Sequence, residues 1–191
     1  ILNHFPWPKS QRWGRGKFRW VRPLHRINIL FDGNPLAGAL DLGGGDAITF
    51  GAASCGHYFE APDDIDLTGV TSLGDVKARL LAGYVMLDQD ERHDAIISEV
   101  KKLAASQSCH LNEAQLGSYL ADIVGLVEWP TPLMGQIEDR FMVLPPELLQ
   151  ATIATHQKYI TLSDADGRFS SNFIMLSNRL GDATRDKVII C

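Results

Sequence analysis

The sequence of 191 residues has few cysteines and no long hydrophobic run. Its three cysteines, Cys55, Cys109 and Cys191, are odd in number and far apart, which argues against a disulfide framework and indicates a reducing compartment. No stretch approaches the ~18 consecutive apolar residues of a membrane span, and the first residues lack the apolar core of a signal peptide. We therefore expect a cytoplasmic protein with no membrane partner.

Acidic side chains are absent from residues 1–26, although the chain as a whole has a formal net charge of −5. The basic side chains of this segment are Lys9, Arg12, Arg15, Lys17, Arg19, Arg22 and Arg26. The aromatic side chains between them are Phe5, Trp7, Trp13, Phe18 and Trp20. Residues 27–191 carry 11 basic and 23 acidic groups, so a segment of charge +7 precedes a remainder of charge −12. An acidic protein can therefore still have a local surface for polyanions.

The mixture of basic and aromatic residues has two interpretations. Cationic groups neutralise phosphates, and flat rings stack on unpaired bases, which indicates an RNA surface. Trp and Arg are also enriched at the centres of protein interfaces, so the segment could equally wrap a neighbouring domain or subunit. Composition alone leaves both open.

The region after the basic segment is rich in predicted strands. The apolar run 27–31, the turn residues Asp32-Gly33-Asn34-Pro35 and the run 36–42 predict a β-hairpin. Gly43-Gly44-Gly45 should then break the strand, and 47–50 and 57–59 are further strand candidates.

The middle of the chain is predicted to be helical. A helix should begin near Ser72, and a stronger one at Asp88, where Glu91 completes a capping box. The apolar residues of the second helix, Ile96, Ile97, Val100, Leu103 and Ala104, recur at helical spacing. Asn112 with Gln115 repeats the capping signal ahead of another helix.

Strands return after Pro130. Segments 133–137 and 141–144 are predicted strands, and Pro145-Pro146-Glu147 should open a helix through Ile153. A second hairpin is predicted from 158–163 and 169–177 around Asp164-Ala165-Asp166-Gly167. The fold class is therefore α+β, with a mostly antiparallel sheet, hairpins at both ends and a central group of helices.

The predicted domain organisation is a basic aromatic entry segment, 1–26, followed by an α+β domain, 27–191. That domain could also form two subdomains, with about 27–70 and 126–191 as sheet and 71–125 as helices. The chain starts at Ile1 and stops within the apolar run 188–191, so we expect a fragment of a longer protein.

Patterns that could carry catalysis or bind metal are weak. Cys55-Gly56-His57 lacks the second ligand pair of a zinc site, and the loop after Asp164 has Ile174 and Met175 where a calcium loop needs a glutamate. Gly14-Arg15-Gly16 and Gly43-Gly44-Gly45 lack the context of phosphate loops, and Asp63, Asp64 and Asp66 are predicted to lie in a solvated loop. We predict no catalytic residue, no metal site and no nucleotide cofactor in this chain.

Two histidines have basic neighbours. His25 lies in Arg22-Pro23-Leu24-His25-Arg26, and His156 lies in Thr155-His156-Gln157-Lys158-Tyr159. Each could form a polar network that fixes the start of a strand, or could contact a phosphate or ribose.

Several of these motifs, taken in order, resemble the beta subunit of bacterial glycyl-tRNA synthetase. The motifs are Arg12-Trp13-Gly14, then Phe18 to His25, Gly56 to Pro62, Leu126 to Pro130, Leu144 to Glu147, His156 to Tyr159 and Asn172 to Ile174. The resemblance covers nearly the whole chain. The sequence departs from the family at three positions. The family often has Arg where this chain has Tyr58, often has Phe where it has Ile160, and usually has Ala where it has Ser177. These differences affect local contacts only.

The resemblance implies that this chain is an internal part of the N-terminal half of a longer subunit. It implies a heterotetramer of two alpha and two beta chains, in which alpha holds the ATP and Mg site that forms glycyl-adenylate. The implied partners are the alpha subunit, tRNA and the remainder of the beta subunit. The fragment itself should then contribute to tRNA binding and subunit assembly.

The candidate tRNA contacts are Arg12, Arg15, Lys17, Arg19, Arg22, His25, His156 and Lys158. One alternative is a purely structural interface module, in which Trp13 and Trp20 support assembly. Another is an editing-like hydrolytic module acting on mischarged tRNA, suggested by a similarity to the editing-type α+β module of the phenylalanyl-tRNA synthetase beta subunit.

Overall fold

The computed structural model describes residues 2–111, 116–117, 119–180 and 188–190, the last three by their backbone alone. The chain divides into two compact units. The first unit comprises Ile1–Gly56 and Pro62–Arg79, and the second comprises His57–Ala61 and Leu80–Cys191. These two units are defined by contacts between residues. The division predicted from the sequence, a segment 1–26 and a domain 27–191, is defined by composition and type of element, and it stays a prediction.

Short strands build the first unit. They are β1 (Ile27–Asn28), β2 (Leu30–Phe31), β3 (Asn34–Pro35), β4 (Ala39–Gly43), β5 (Asp46–Gly51), β6 (Ala53–Cys55) and β7 (Asp64–Asp66). β5 lies between β1 and β4, parallel to β1 and antiparallel to β4. β2 pairs with β3, and β6 pairs with β7, both antiparallel. A 3₁₀ turn, Leu2–His4, precedes them.

The two hairpins of the first unit partly correct the prediction for this region. The first is shorter than expected, because Asn34 and Pro35 are strand residues opposite Phe31 and Leu30, around the two-residue turn Asp32-Gly33. The three glycines do not simply break a strand. Gly43 pairs with Asp46, and Gly44 and Gly45, with φ of +70° and +91°, form the two-residue turn between β4 and β5.

Helix α1 (Leu73–Ala82) begins in the first unit, immediately after Ser72 as predicted. The next helix, α2 (Gln89–Ser106), lies in the second unit. The predicted cap is confirmed, because the Asp88 carboxylate accepts hydrogen bonds from the amides of Asp90 and Glu91. The predicted capping pair Asn112 and Gln115 lies outside the described residues.

The second unit then alternates short helices with the main sheet. Its further elements are β8 (His110–Leu111), α3 (Leu120–Val124), β9 (Thr131–Ile137), α4 (Pro146–Gln150), β10 (Ile160–Ser163), β11 (Phe169–Ser177) and β12 (Val188–Ile190). The strand order is β12-β9-β11-β10-β8, with every pair antiparallel except β12 with β9. The predicted hairpin of β10 and β11 is confirmed, and so is the α+β class.

The core of the second unit lies between α2, α3 and this sheet. The predicted apolar face of α2 is buried at Ile96, Val100 and Ala104. These side chains belong to one cluster with the buried Leu120, Ile123 and Val124 of α3 and with Ile160, Leu162 and Ile174 of the sheet. Burial of this stripe explains why the α2 sequence forms a helix here.

Two predicted strands and one predicted loop are wrong. Residues 57–59 are not a strand, because residues 58–60 form a turn in which the Ala61 amide donates to the His57 carbonyl oxygen at 2.9 Å. Segment 141–144 begins with the last residue of a 3₁₀ turn, Asp139–Phe141, continues as turn and bend, and pairs with no described strand. Conversely, Asp64 and Asp66 lie on β7, which pairs with β6. The helix through Ile153 is confirmed and continues as a π-helical turn, Ala151–His156.

No helix in the described part of the chain is both long and apolar enough to cross a membrane.

Candidate nucleic-acid interface

The basic segment 1–26 is fastened to itself and to strand β4 by backbone hydrogen bonds. Gln11 and Trp20 form an isolated antiparallel bridge, with N–O distances of 2.8 and 3.2 Å. The amides of Lys17 and Phe18 both donate to the Leu42 carbonyl oxygen, at 2.8 and 3.0 Å. This approach is close, since a Cβ on Gly16 would lie 2.3 Å from the same oxygen. The segment is therefore a fixed part of the first unit.

The aromatic rings of the segment pack on one another. Trp20 contacts Phe5, Trp7 and Phe18, with ring centroids 5.5, 5.0 and 5.8 Å apart. Phe5 also packs on Trp7 at 4.7 Å, and Trp13 meets Phe18 edge-on at 5.8 Å. Contacts between the rings thus cover part of the aromatic surface, while Phe5 remains 47% exposed.

The predicted basic residues of the segment are exposed. Arg12, Arg15, Lys17 and Arg22 form no side-chain hydrogen bond or ion pair within the ranges that the structure describes. Arg19 differs from these, because its Nε donates to Ser10 Oγ at 3.1 Å and its Nη2 to the Ser10 carbonyl oxygen at 2.8 Å. With Lys9, which is also exposed and has no side-chain partner in those ranges, five cations therefore remain available on the surface of the first unit.

His25 and Arg26 lie at the end of the segment. Arg26 pairs with Asp64, with Nη1 and Oδ1 2.7 Å apart, and this hydrogen bond raises the pKa of Arg26. His25 is exposed and lines a cleft of about 440 Å³ beside β1 and β5, together with Arg26 and Asp64. The carboxylate makes this cleft less suited to a phosphate than the free arginines are.

The other two predicted contacts belong to the second unit. His156 is exposed at the end of the π-helical turn. Lys158, with φ of +58°, pairs its ammonium group with Asp122 at 2.9 Å. Asp122 therefore neutralises the positive charge with which Lys158 would attract a phosphate. The structure therefore groups Arg12, Arg15, Lys17, Arg19, Arg22 and His25 in one unit and places His156 and Lys158 in the other.

A cleft of about 470 Å³ opens on the first unit between the basic segment and the end of β4. Of the predicted residues, Lys17 and Arg19 line it. The sequence interpretation did not include its other polar residues, such as Asp41 and Ser10. Asp41 reaches the cleft because β4 pairs with β5, and the only signal for this in the sequence was the glycine turn after β4.

His57 is a buried hydrogen-bonding residue rather than a metal ligand. Its Nε2 bonds to the Asn178 carbonyl oxygen at 2.7 Å, and its Nδ1 accepts from the amides of Phe59 and Glu60, both at 3.3 Å. Both ring nitrogens are thus occupied. Across the described ranges, no group of three or more His, Cys, Asp or Glu side chains could hold a metal ion.

Comparison with known proteins matches this chain to subunits of aminoacyl-tRNA synthetases. The family described as "Glycyl-tRNA synthetase beta subunit" matches residues 1–190. A protein of Rhodospirillum centenum named glycine–tRNA ligase beta subunit is 36% identical over 197 residues, covering 93% of this chain and 27% of its own length. The protein of that name from Paracoccus denitrificans is 41% identical over 177 residues, covering 93% and 25%.

The chain belongs to the glycyl-tRNA synthetase beta subunit family. A third relative with the same name, from Phenylobacterium zucineum, is 37% identical over 188 residues, covering 96% of this chain and 27% of its own. The chain thus spans about a quarter of the length of these curated relatives. The predicted family is confirmed.

Proposed function

We propose that this chain is a non-catalytic segment of a glycine–tRNA ligase beta subunit, which binds tRNA through its first unit during the charging of tRNA with glycine. In this proposal ATP and Mg bind at the alpha subunit. The observation that carries the proposal is the set of exposed, unpaired cations Arg12, Arg15, Lys17 and Arg22 on a fixed segment. Membership of a tRNA synthetase family is the reason for proposing tRNA as the ligand.

Charge and geometry both support an interaction with phosphates. The first unit carries nine basic and seven acidic residues, a net charge of +2, whereas the second unit carries nine and sixteen, a net charge of −7. Backbone bonds to Leu42 hold the segment in place, so binding would not require it to fold. An RNA should therefore meet the first unit rather than the second.

The test measures tRNA affinity against salt concentration for the complete beta subunit assembled with its alpha partner. Arg12→Ala, Arg15→Ala and Arg22→Ala should each weaken binding. Each should also flatten the plot of log affinity against log salt by about one unit for every phosphate that the variant no longer neutralises. Arg168→Ala is the matched control, because this exposed arginine pairs with Asp166 in the second unit. Unchanged slopes for all three variants would contradict the proposal.

A second role, in subunit assembly, has its own observation. Val143, Leu144 and Leu148 are 84%, 39% and 53% exposed around the start of α4. A group of exposed apolar side chains of this kind is typical of a protein interface. We propose that another part of the same enzyme covers it.

A further inference from the structure

We infer that the 470 Å³ cleft of the first unit binds one unpaired nucleotide of an RNA, with its base against Phe5 and Phe18 and its phosphate at Lys17. This inference rests on the proposed function, that the chain contacts tRNA, and adds which residues contact a base. The volume lies within the range of about 300–1,000 Å³ that is typical of small-molecule sites.

The walls of the cleft are held by the backbone. The two hydrogen bonds to Leu42 fix residues 17 and 18 against β4, and the Gln11–Trp20 bridge fixes the opposite side of the segment. The 3₁₀ turn Leu2–His4 leads into Phe5, whose amide donates to the Leu2 carbonyl oxygen. Because the cleft is already formed, less conformational entropy is lost when a ligand binds.

One wall of the cleft is aromatic. Phe5, Trp7 and Phe18 line it, and Trp20 supports all three rings from within the segment. Phe5 is half exposed, so part of its surface is available to a base. Stacking on such rings is how single-stranded nucleic acids are commonly bound.

The cations of the cleft are suited to a phosphate. Arg19 is oriented by Ser10, which occupies two of its five N–H donors and leaves the others free. Lys17 lines the same cleft, and its ammonium group has no partner in the described part of the chain. The two side chains are neighbours of Phe18, so a phosphate can lie beside a stacked base.

Asp41 argues against a simple anion as the ligand. Its Oδ1 accepts from the Gly43 amide at 2.7 Å, while its Oδ2 has no hydrogen bond to a described residue. A carboxylate repels a free phosphate but accepts hydrogen bonds from the amino groups of bases. The ligand should therefore carry both a negative charge and an exocyclic amino group, as nucleotides of adenine, cytosine and guanine do and uridine nucleotides do not.

The indole of Trp7 adds a second polar observation at this wall. Its Nε1 is buried and has no acceptor among the residues that the structure describes. Buried donors without a partner are rare in folded proteins, so this indole is an unusual feature of the aromatic wall.

The experiment compares Phe5→Ala with Phe31→Ala in the complete beta subunit assembled with alpha. Phe31 is the matched control, since it is 73% exposed in the same unit and does not line the cleft. Phe5→Ala should weaken tRNA binding about fivefold or more without changing its salt dependence, because stacking is not ionic. Phe31→Ala should leave the affinity unchanged.

A second measurement uses short single strands of oligo(A) and oligo(U) as probes. The unaltered enzyme should prefer oligo(A), and Asp41→Asn, which keeps an acceptor for Gly43, should reduce that preference. If Phe5→Ala has no effect while Arg12→Ala flattens the salt dependence, the cleft inference fails and the proposed function stands. If Phe5→Ala has no effect and Arg12→Ala, Arg15→Ala and Arg22→Ala all leave the salt dependence unchanged, both fail. If Phe5→Ala instead prevents assembly with alpha in sedimentation, the cleft binds protein and the inference is overturned.

Discussion

Among single residues, Gly135 determines how the main sheet packs. It lies directly opposite Phe173 in the β9–β11 pair, and Phe173 is fully buried. A Cβ on Gly135 would lie 2.2 Å from the Phe173 ring, which also stacks on Tyr159 with centroids 5.3 Å apart. The glycine therefore provides the space in which this ring lies across the neighbouring strand.

Gly135→Ala should destabilise the second unit by about 1–3 kcal/mol, because the added methyl group overpacks the buried ring. Hydrogen exchange followed by mass spectrometry on the complete subunit should show faster amide exchange in β9 and β11. Gly74→Ala in α1 is the control, since its Cβ would meet only Ser72 Oγ at an ordinary 3.6 Å. Unchanged protection in β9 would show that the ring can move aside.

Among the secondary-structure elements, α1 begins with a reciprocal cap. The Asp75 amide donates to Ser72 Oγ at 3.1 Å, and the Asp75 carboxylate accepts from the Thr71 amide at 3.4 Å. Hydrogen bonds from the Ser72 side chain and the Thr71 backbone lower the pKa of Asp75 below its ordinary 3.8. The ionised carboxylate is therefore the form that the folded helix favours.

This lowered pKa gives α1 a pH dependence of known sign. The stability that Asp75 contributes should be fully present above about pH 4, and should disappear as the pH falls through the lower folded-state pKa. As the pH falls below about 4, the amides of 71–79 should become less protected from hydrogen exchange, relative to those of α2. Asp75→Asn should remove most of this pH dependence. An identical dependence in that variant would assign it to another group, such as Asp66, whose pKa is also lowered.

Across the whole molecule, the two proposed contact surfaces belong to different units. The unpaired cations Arg12, Arg15, Lys17 and Arg22 belong to the first unit. Val143, Leu144 and Leu148 belong to the second, which has a net charge of −7. A cationic surface attracts the phosphates of RNA, whereas an exposed apolar surface is typical of a protein interface. One chain can thus serve both proposed roles.

The assembly role predicts separable variants. Val143→Ser with Leu148→Ser should shift the complete subunit and alpha toward dissociated species in sedimentation, because the apolar area that a partner would cover is removed. The tRNA salt dependence of the remaining assembled enzyme should not change. Phe31→Ser serves as a control for removal of an exposed apolar side chain in the first unit. Normal assembly of the double variant would show that this surface is not part of the interface with alpha.

Elements whose signals are local could be predicted from the order of residues alone. The cap at Asp88, the apolar face of α2 and the turn Asp164-Ala165-Asp166-Gly167 are of this kind, because each depends on residues within a few positions. The strand prediction for 57–59 is wrong for the opposite reason. His57 bonds to Asn178, 121 positions away, and this hydrogen bond overrides the β propensity of its neighbours.

The candidate site divides in the same way. The cations and rings of residues 1–26 are evident from composition, since their pattern needs no fold. Folding alone established that Trp20 supports the other rings, that Lys158 is paired with Asp122, and that Asp41 lies beside Lys17 and Arg19. Contacts between distant segments depend on which backbone groups pair with each other when the chain folds. The residues next to each other in the sequence do not predict these pairings.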